Sequence, residues 1–290
     1  MKKHLILTAL TLAAATVTAA EVKDGFETRW GTWGPKASKA AFKFNKDEGN
    51  TAPGCGEITF KAGHPAGQYG CFTKKFPAEG GKTYRVTVMV RNKNPEKTGE
   101  ASVTAQSYGN GKYLYQAMSS GKVAVGAEWI RIGTEITLLK KSDQAYILLS
   151  GYGEEGTFIQ FDDLEMTEID LSKNFKDNFD TYGWTFWKAN DTKVTQKYDP
   201  QEGHQAKGSA AVVVEAGNEK GKSGSLMRRF PVQPGKEYTM LVFVKNSGLS
   251  DNSTIGLNLQ GLNGQGKFLG TGVQGTKIKA EDCRRRKKLA

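Results

Sequence analysis

The chain has 290 residues, 38% of them hydrophobic and 24% charged, with a formal net charge of +11. Lys2, Lys3 and the five basic residues at 284–288 hold seven of those charges, and the remaining 11 − 7 = +4 is too little for a basic groove that tracks nucleic acid. Beyond residue 20 no apolar run approaches the ~20 residues of a membrane-spanning helix.

Met1-Lys2-Lys3-His4 is a basic start, residues 5–17 are apolar or small, and Thr18-Ala19-Ala20 offers small residues for cleavage. This pattern predicts a secretory signal peptide over 1–20. The mature protein is then secreted, periplasmic or held at the cell surface, and its roughly 270 residues suit two domains.

Asp24-Gly25-Phe26-Glu27 opens the first domain, followed by Trp30 and Trp33, an extended run near 40–44 and a polar loop through Asn50 and Pro53. Residues 57–61 and 72–76 read as the arms of a hairpin. Over 84–92, Tyr84, Val86, Val88 and Val90 alternate with Arg85, Thr87, Met89 and Arg91, the period-2 signature of a half-buried strand. Further strands are expected over 101–107, 112–117, 129–132, 145–150 and 158–166, with a Gly-containing turn at Tyr108-Gly109-Asn110-Gly111. Many short strands without an amphipathic helix predict an all-β sandwich.

The chain then repeats itself. Residues 74–92 read KKFPAEGGKTYRVTVMVRN and residues 228–246 read RRFPVQPGKEYTMLVFVKN, at a constant offset of 230 − 76 = 154. Trp184 and Trp187 match Trp30 and Trp33, Gln260 matches Gln106, and Phe268 matches Tyr113. The expected organisation is a first sandwich over 21–169, a polar linker over 170–176 and a second copy over 177–282. The match stops where Trp129-Ile130-Arg131 aligns with Asp282-Cys283-Arg284, and a basic tail occupies 283–290. The second copy therefore lacks its late strands. A truncated or frameshifted gene product with a weakly stable second domain is expected, the alternative being a deliberate basic tail.

Cys55 and Cys71 correspond to Ser209 and Ser225, so both are replaced together. Joint replacement in an exported chain predicts a Cys55–Cys71 disulfide, with two free thiols as the alternative. Closing such a loop is worth ~3 kcal/mol in the chain-entropy model.

Gly-Phe-Glu at 25–27, Phe-Pro-x-x-x-Gly-Lys-x-Tyr at 76–84, Trp-Ile-Arg at 129–131 and Phe-Asp-Asp-Leu at 161–164, in that order, resemble carbohydrate-binding modules of the family 4/9 and 22 type. The resemblance spans nearly all of 24–169. It implies a jelly-roll, galactose-binding-like sandwich that holds polysaccharide in a groove and does no chemistry, often beside a glycoside hydrolase acting on the same substrate. It also implies a structural Ca²⁺ near the terminal strands of the first domain, for which Glu27, Asp162 and Asp163 are the candidate ligands.

Aromatic faces stack on the apolar C–H faces of sugars, and amides and guanidinium groups bond their hydroxyls. The candidates in the first copy are Trp30, Trp33, Tyr69, Tyr108, Tyr113 and Tyr115, with Arg91 and Gln106 as polar partners. Those in the second are Trp184, Trp187 and Gln260. Tyr84, Tyr238 and Trp129 read as structural. An enzyme is not expected. His64 and His204 lie in separate copies, no HExxH or GxSxG motif occurs, and the pairs Glu154-Glu155 and Asp162-Asp163 are adjacent residues that a strand turns to opposite faces. The alternative function is a surface-associated adhesion module binding protein or envelope polymer.

Overall fold

A computed structural model describes residues 21–26, 29–171, 179, 183–199, 201–203, 207–250, 253–263, 267–279 and 287–289. The expected signal peptide, Glu27, most of the linker and Cys283 lie outside these residues. No helix occurs among those described.

The N-terminal part carries twelve strands: β1 (Glu21–Asp24), β2 (Gly31–Trp33), β3 (Ala40–Asn45), β4 (Cys55–Phe60), β5 (Tyr69–Pro77), β6 (Thr83–Asn92), β7 (Gly99–Gly109), β8 (Lys112–Ser119), β9 (Val123–Val125), β10 (Ile130–Thr137), β11 (Gln144–Gly153) and β12 (Phe158–Glu168). They form two antiparallel six-stranded sheets. The first runs β10-β6-β12-β4-β3 with β1 on β12, and the second runs β2-β5-β11-β7-β8 with β9 on β7. Alternation sends Val86, Val88, Val90, Ile58, Phe60, Ile159 and Phe161 inward from the first sheet. Phe72, Phe76, Val103, Ala105, Ile147 and Leu149 meet them from the second. Gly56 and Gly70 let the layers close. A Cβ at Gly56 would lie 2.5 Å from Phe26 and 2.8 Å from Phe72, and one at Gly70 would lie 2.9 Å from Phe42.

The expected hairpin over 57–61 and 72–76 is a crossover instead, because β4 belongs to the first sheet and β5 to the second. This also corrects the disulfide. Gly56 and Ile58 face the core, so Cys55 points out of the first sheet. Gly70 and Phe72 face the core, so Cys71 points out of the second. The two sit on opposite outer faces of a sandwich whose sheets lie ~10 Å apart. Both are buried free thiols.

The C-terminal part carries β13 (Thr185–Lys188), β14 (Val194–Asp199), β15 (Ser209–Val214), β16 (Gly224–Met227), β17 (Val242–Val244), β18 (Thr254–Leu262), β19 (Phe268–Lys279) and β20 (Lys287–Leu289). They pair only two by two, as β13-β16, β14-β15, β17-β20 and β18-β19. These ladders correspond to β2-β5, β3-β4, β6-β10 and β7-β8, so residues 287–289 of the expected tail form a strand in the place of β10, a late strand that the second copy is expected to lack. Among the described residues no strand takes the central places that β11 and β12 hold in the N-terminal sheets. Tyr238 is consequently not a core residue. Its hydroxyl accepts the Gln233 N–H over 2.7 Å, as Tyr84 accepts that of Glu79 over 2.9 Å, yet Tyr238 is 46% exposed and Tyr84 is buried.

One piece of local geometry recurs in full. Phe26 at φ 61° stacks on Trp30 with centroids 4.7 Å apart, and Phe179 at φ 58° stacks on Trp184 at 5.2 Å. Each tryptophan meets a further ring edge-on at 6.0 Å, Phe76 or Phe230. The C-terminal part touches the sandwich along β10. A Cβ at Gly183 would lie 2.5 Å from the Gly133 carbonyl oxygen, and Arg228 pairs with Glu135.

Candidate functional site

The outer face of the second sheet collects the rings. Because Ala145, Ile147 and Leu149 face the core, β11 turns Tyr146 and Tyr152 outward. Register places Tyr69 beside Tyr152, Trp33 beside Cys71, Gln106 beside Tyr146, and Tyr113 beside Tyr108. Two groups result. Trp33, Tyr69 and Tyr152 form one, with successive centroids 5.5 and 5.3 Å apart. Tyr146, Tyr108, Tyr113 and Tyr115 form the other, at 4.9, 5.8 and 5.2 Å. Tyr146 and Tyr152 are six residues apart on one strand, so the groups stand about 20 Å apart. Cys71, Thr73, Ser102, Thr104, Leu148 and Ser150 floor the space between them.

Each group has a cation. Lys75 Nζ lies 4.7 Å from the Tyr108 ring and 5.8 Å from that of Tyr146. Lys122 Nζ lies 4.1 Å from the Tyr152 ring and 3.6 Å from Glu100. Burial first, then neighbouring Tyr146 and Tyr113, holds the Tyr108 phenol above its ordinary value. Burial, then Cys71 and Tyr152, does the same to Tyr69. Both hydroxyls therefore remain protonated donors at neutral pH. Tyr115 projects furthest. The β7-β8 register shifts between Gln106 and Tyr108, and Tyr115 takes φ 59° with its side chain 87% exposed.

The sequence candidates separate on this geometry. Trp33, Tyr69, Gln106, Tyr108, Tyr113 and Tyr115 share the face. Trp30 does not; only 8% exposed, it packs into the core, and its indole N–H donates to Asp24, which Lys74 also bridges. Trp184 is buried in the same way. Arg91 points out of the opposite sheet, where its guanidinium lies 4.7 Å from the Trp129 ring and donates to Gln160 over 2.7 Å. Gln260 is exposed on β18 opposite Gly272, and Trp187 is 49% exposed on β13. Tyr146 and Tyr152 stand on this face without being among the sequence candidates. Their signal was parity: both fall out of phase with the apolar residues of β11.

On β12 of the first sheet, between its pairings with β4 and β1, Asp162 is buried. Its Oδ2 accepts the Asn50 N–H over 2.6 Å and its Oδ1 the Asp163 N–H over 2.7 Å. Burial pushes its carboxyl up to about 6, against the lowering effect of those two bonds. Asp163 turns away at φ 46° to the Asn50 amide and the Thr51 hydroxyl. The place of a Cβ at Gly49 is 2.8 Å from Asp162 Oδ2 and closer still to the Ala52 carbonyl oxygen, so two oxygens converge there. Among the described residues no three Asp, Glu, His or Cys side chains gather as a metal site.

No protein-family model matches the chain, and no curated protein does. Similar solved structures include the Clostridium thermocellum endo-1,4-β-D-xylanase 10B CBM22-1–GH10 modules with xylohexaose, at 20% identity and TM-score 0.38, covering 53% of this chain and 29% of that one. The chain thus spans less than a third of that protein. Others are the CBM22-1 xylan-binding domain of Paenibacillus barcinonensis Xyn10C, at 9% identity, TM-score 0.38, and 53% and 97% coverage, and TmCBM61 in complex with β-1,4-galactotriose, at 18%, 0.37, and 50% and 94%.

Proposed function

We propose that the outer face of the second sheet binds polysaccharide without cleaving it. The observation that carries this reading is the ring arrangement itself. Seven aromatic side chains stand on one face in two groups, with a floor of Cys, Ser and Thr side chains and Leu148 between them. Such a track presents flat apolar surfaces to sugar C–H faces, and Gln106, Lys75, Lys122 and the tyrosine hydroxyls supply donors for hydroxyl groups. The acid on this face, Glu100, is held by Lys122, whereas glycosidic cleavage uses two carboxylates across the bond.

The same reading takes the protein as exported, with the sandwich as a first module and the C-terminal part as an incomplete second one. A glycoside hydrolase acting on the same polymer is the natural partner. A structural Ca²⁺ would be held by Asp162 with backbone carbonyls such as that of Ala52, and would neutralise the buried carboxylate.

Affinity electrophoresis on hydroxyethylcellulose, arabinoxylan, mannan and β-1,4-galactan tests the proposal. Retardation on at least one polymer, reduced about tenfold in affinity by Tyr108→Ala or Tyr152→Ala, is expected. Unretarded migration on all four would leave protein adhesion as the better account.

A further inference from the structure

Strand β13 of the C-terminal part lies beside the sandwich and carries the exposed Trp187. Three contacts hold it there, one from β13 itself and two from residues just before β13 and just after its partner β16. Gly183 lies against the Gly133 carbonyl on β10, at the edge of the first sheet. Two residues on, the Thr185 methyl fills the space where a side chain on Gly121 would sit, since a Cβ there would lie 2.3 Å from it. Gly121 also needs its glycine for φ +73°. Behind them, Arg228 Nη2 donates to Glu135 Oε1 over 2.7 Å, with neither side chain more than 2% exposed.

These anchors give β13 a direction. Gly133 belongs to the first sheet, and Gly121 follows β8 at the edge of the second. The chain therefore climbs the side of the sandwich from one layer to the other. Its next two residues, spanning about 7 Å, carry it past the level of the second sheet. Thr185 and Trp187 share one face of the strand. The face that seats Thr185 on Gly121 thus presents Trp187 beside the 119–122 turn. Lys122 of that turn lies over Tyr152 in the nearer ring group.

We propose that Trp187 is part of the N-terminal binding face, extending its ring track across the 119–122 turn. One polysaccharide would then run from Tyr108 and Tyr113 over Tyr152 to Trp187. This rests on the polysaccharide reading above and adds to it a subsite supplied by the other half of the chain. A ligand long enough to leave the sheet beside Tyr152 meets the indole. A short one lying on the sheet does not.

The test uses the full mature chain, the polymer that retards it, and that polymer's own oligosaccharides from trimer to octamer, measured by calorimetry. Trp187→Ala is expected to weaken the polymer and the octamer about tenfold and leave the trimer unchanged. Trp187→Phe should restore affinity to within about twofold, because a ring is retained. Gly121→Val, which displaces Thr185, should reproduce the loss with Trp187 intact. Wild-type affinity of Trp187→Ala at every length overturns the proposal, and so does an equal loss for trimer and octamer. If Tyr108→Ala loses binding in either case, the polysaccharide reading stands while the shared track falls. Failure of the wild type on every polymer removes both.

Discussion

Arg228 and Glu135, 93 residues apart, meet in a sealed ion pair between the two halves of the chain. Glu135 also accepts from Arg85 Nε over 3.0 Å, so one carboxylate separates two guanidinium groups. Glu135→Ala would leave those groups facing each other. A loss of about 3 kcal/mol in chemical denaturation is expected, together with faster proteolysis between 183 and 250. Wild-type stability and protease resistance would show that the halves do not depend on this pair.

Trp30 and Tyr152 should behave as opposites. Trp30 sits in the core against Phe26 and Phe76, so Trp30→Ala should cost about 3–5 kcal/mol of stability. Tyr152→Ala should leave the melting temperature within a few degrees and weaken polysaccharide binding. The comparison is read from thermal unfolding beside affinity electrophoresis. Equal damage to stability from both variants would contradict the division between core ring and face ring.

Cys55 and Cys71 should be inert in the folded protein. Burial pushes Cys55 up to about 12, helped by Glu57 and Asp162, and pushes Cys71 up to about 11. A thiol is a poor nucleophile while protonated. Alkylation followed by peptide mapping should find both unmodified in native protein and both labelled after unfolding without reductant. Labelling of these two positions only after reduction would restore the disulfide.

Asp162 sets a pH dependence whose sign follows from its burial. Its carboxyl is raised from 3.8 to about 6, so the folded state favours the proton. That contribution is fully present below the unfolded value and is lost as pH rises through the folded one. In chelator, wild-type stability relative to Asp162→Asn should fall by on the order of 2 kcal/mol over that interval. Added Ca²⁺ should abolish the fall, because a bound cation favours the carboxylate. A wild-type advantage that grows with pH in chelator would contradict the assignment.

The strand over 84–92 was readable because its Val residues alternate with Arg, Thr and Met. The core tyrosine at 84 followed from the same parity. Parity alone puts Cys55 and Cys71 on outer faces, but a hairpin with arms at 57–61 and 72–76 would bring both onto one sheet. What local pattern does not encode is which sheet a strand joins, and in a sandwich consecutive strands change sheets. Trp30 and Trp33 show a second limit. They look equivalent by composition, but only Trp33 lies on a paired strand, with its side chain directed outward, while Trp30 precedes that strand and folds under it. Tyr146 and Tyr152 do not stand out in the sequence because Ile147, Leu148 and Leu149 dominate their stretch as a plain apolar run.

The seat that Gly183 takes against Gly133 has a bearing on behaviour in concentrated solution. β10 is the outermost strand of its sheet, and a bare outermost strand invites pairing with another molecule. Where Gly183 and Arg228 cover it, that invitation is withdrawn. The C-terminal half thus acts as a shield, and shortened forms ending before residue 177 should self-associate more readily than the whole chain.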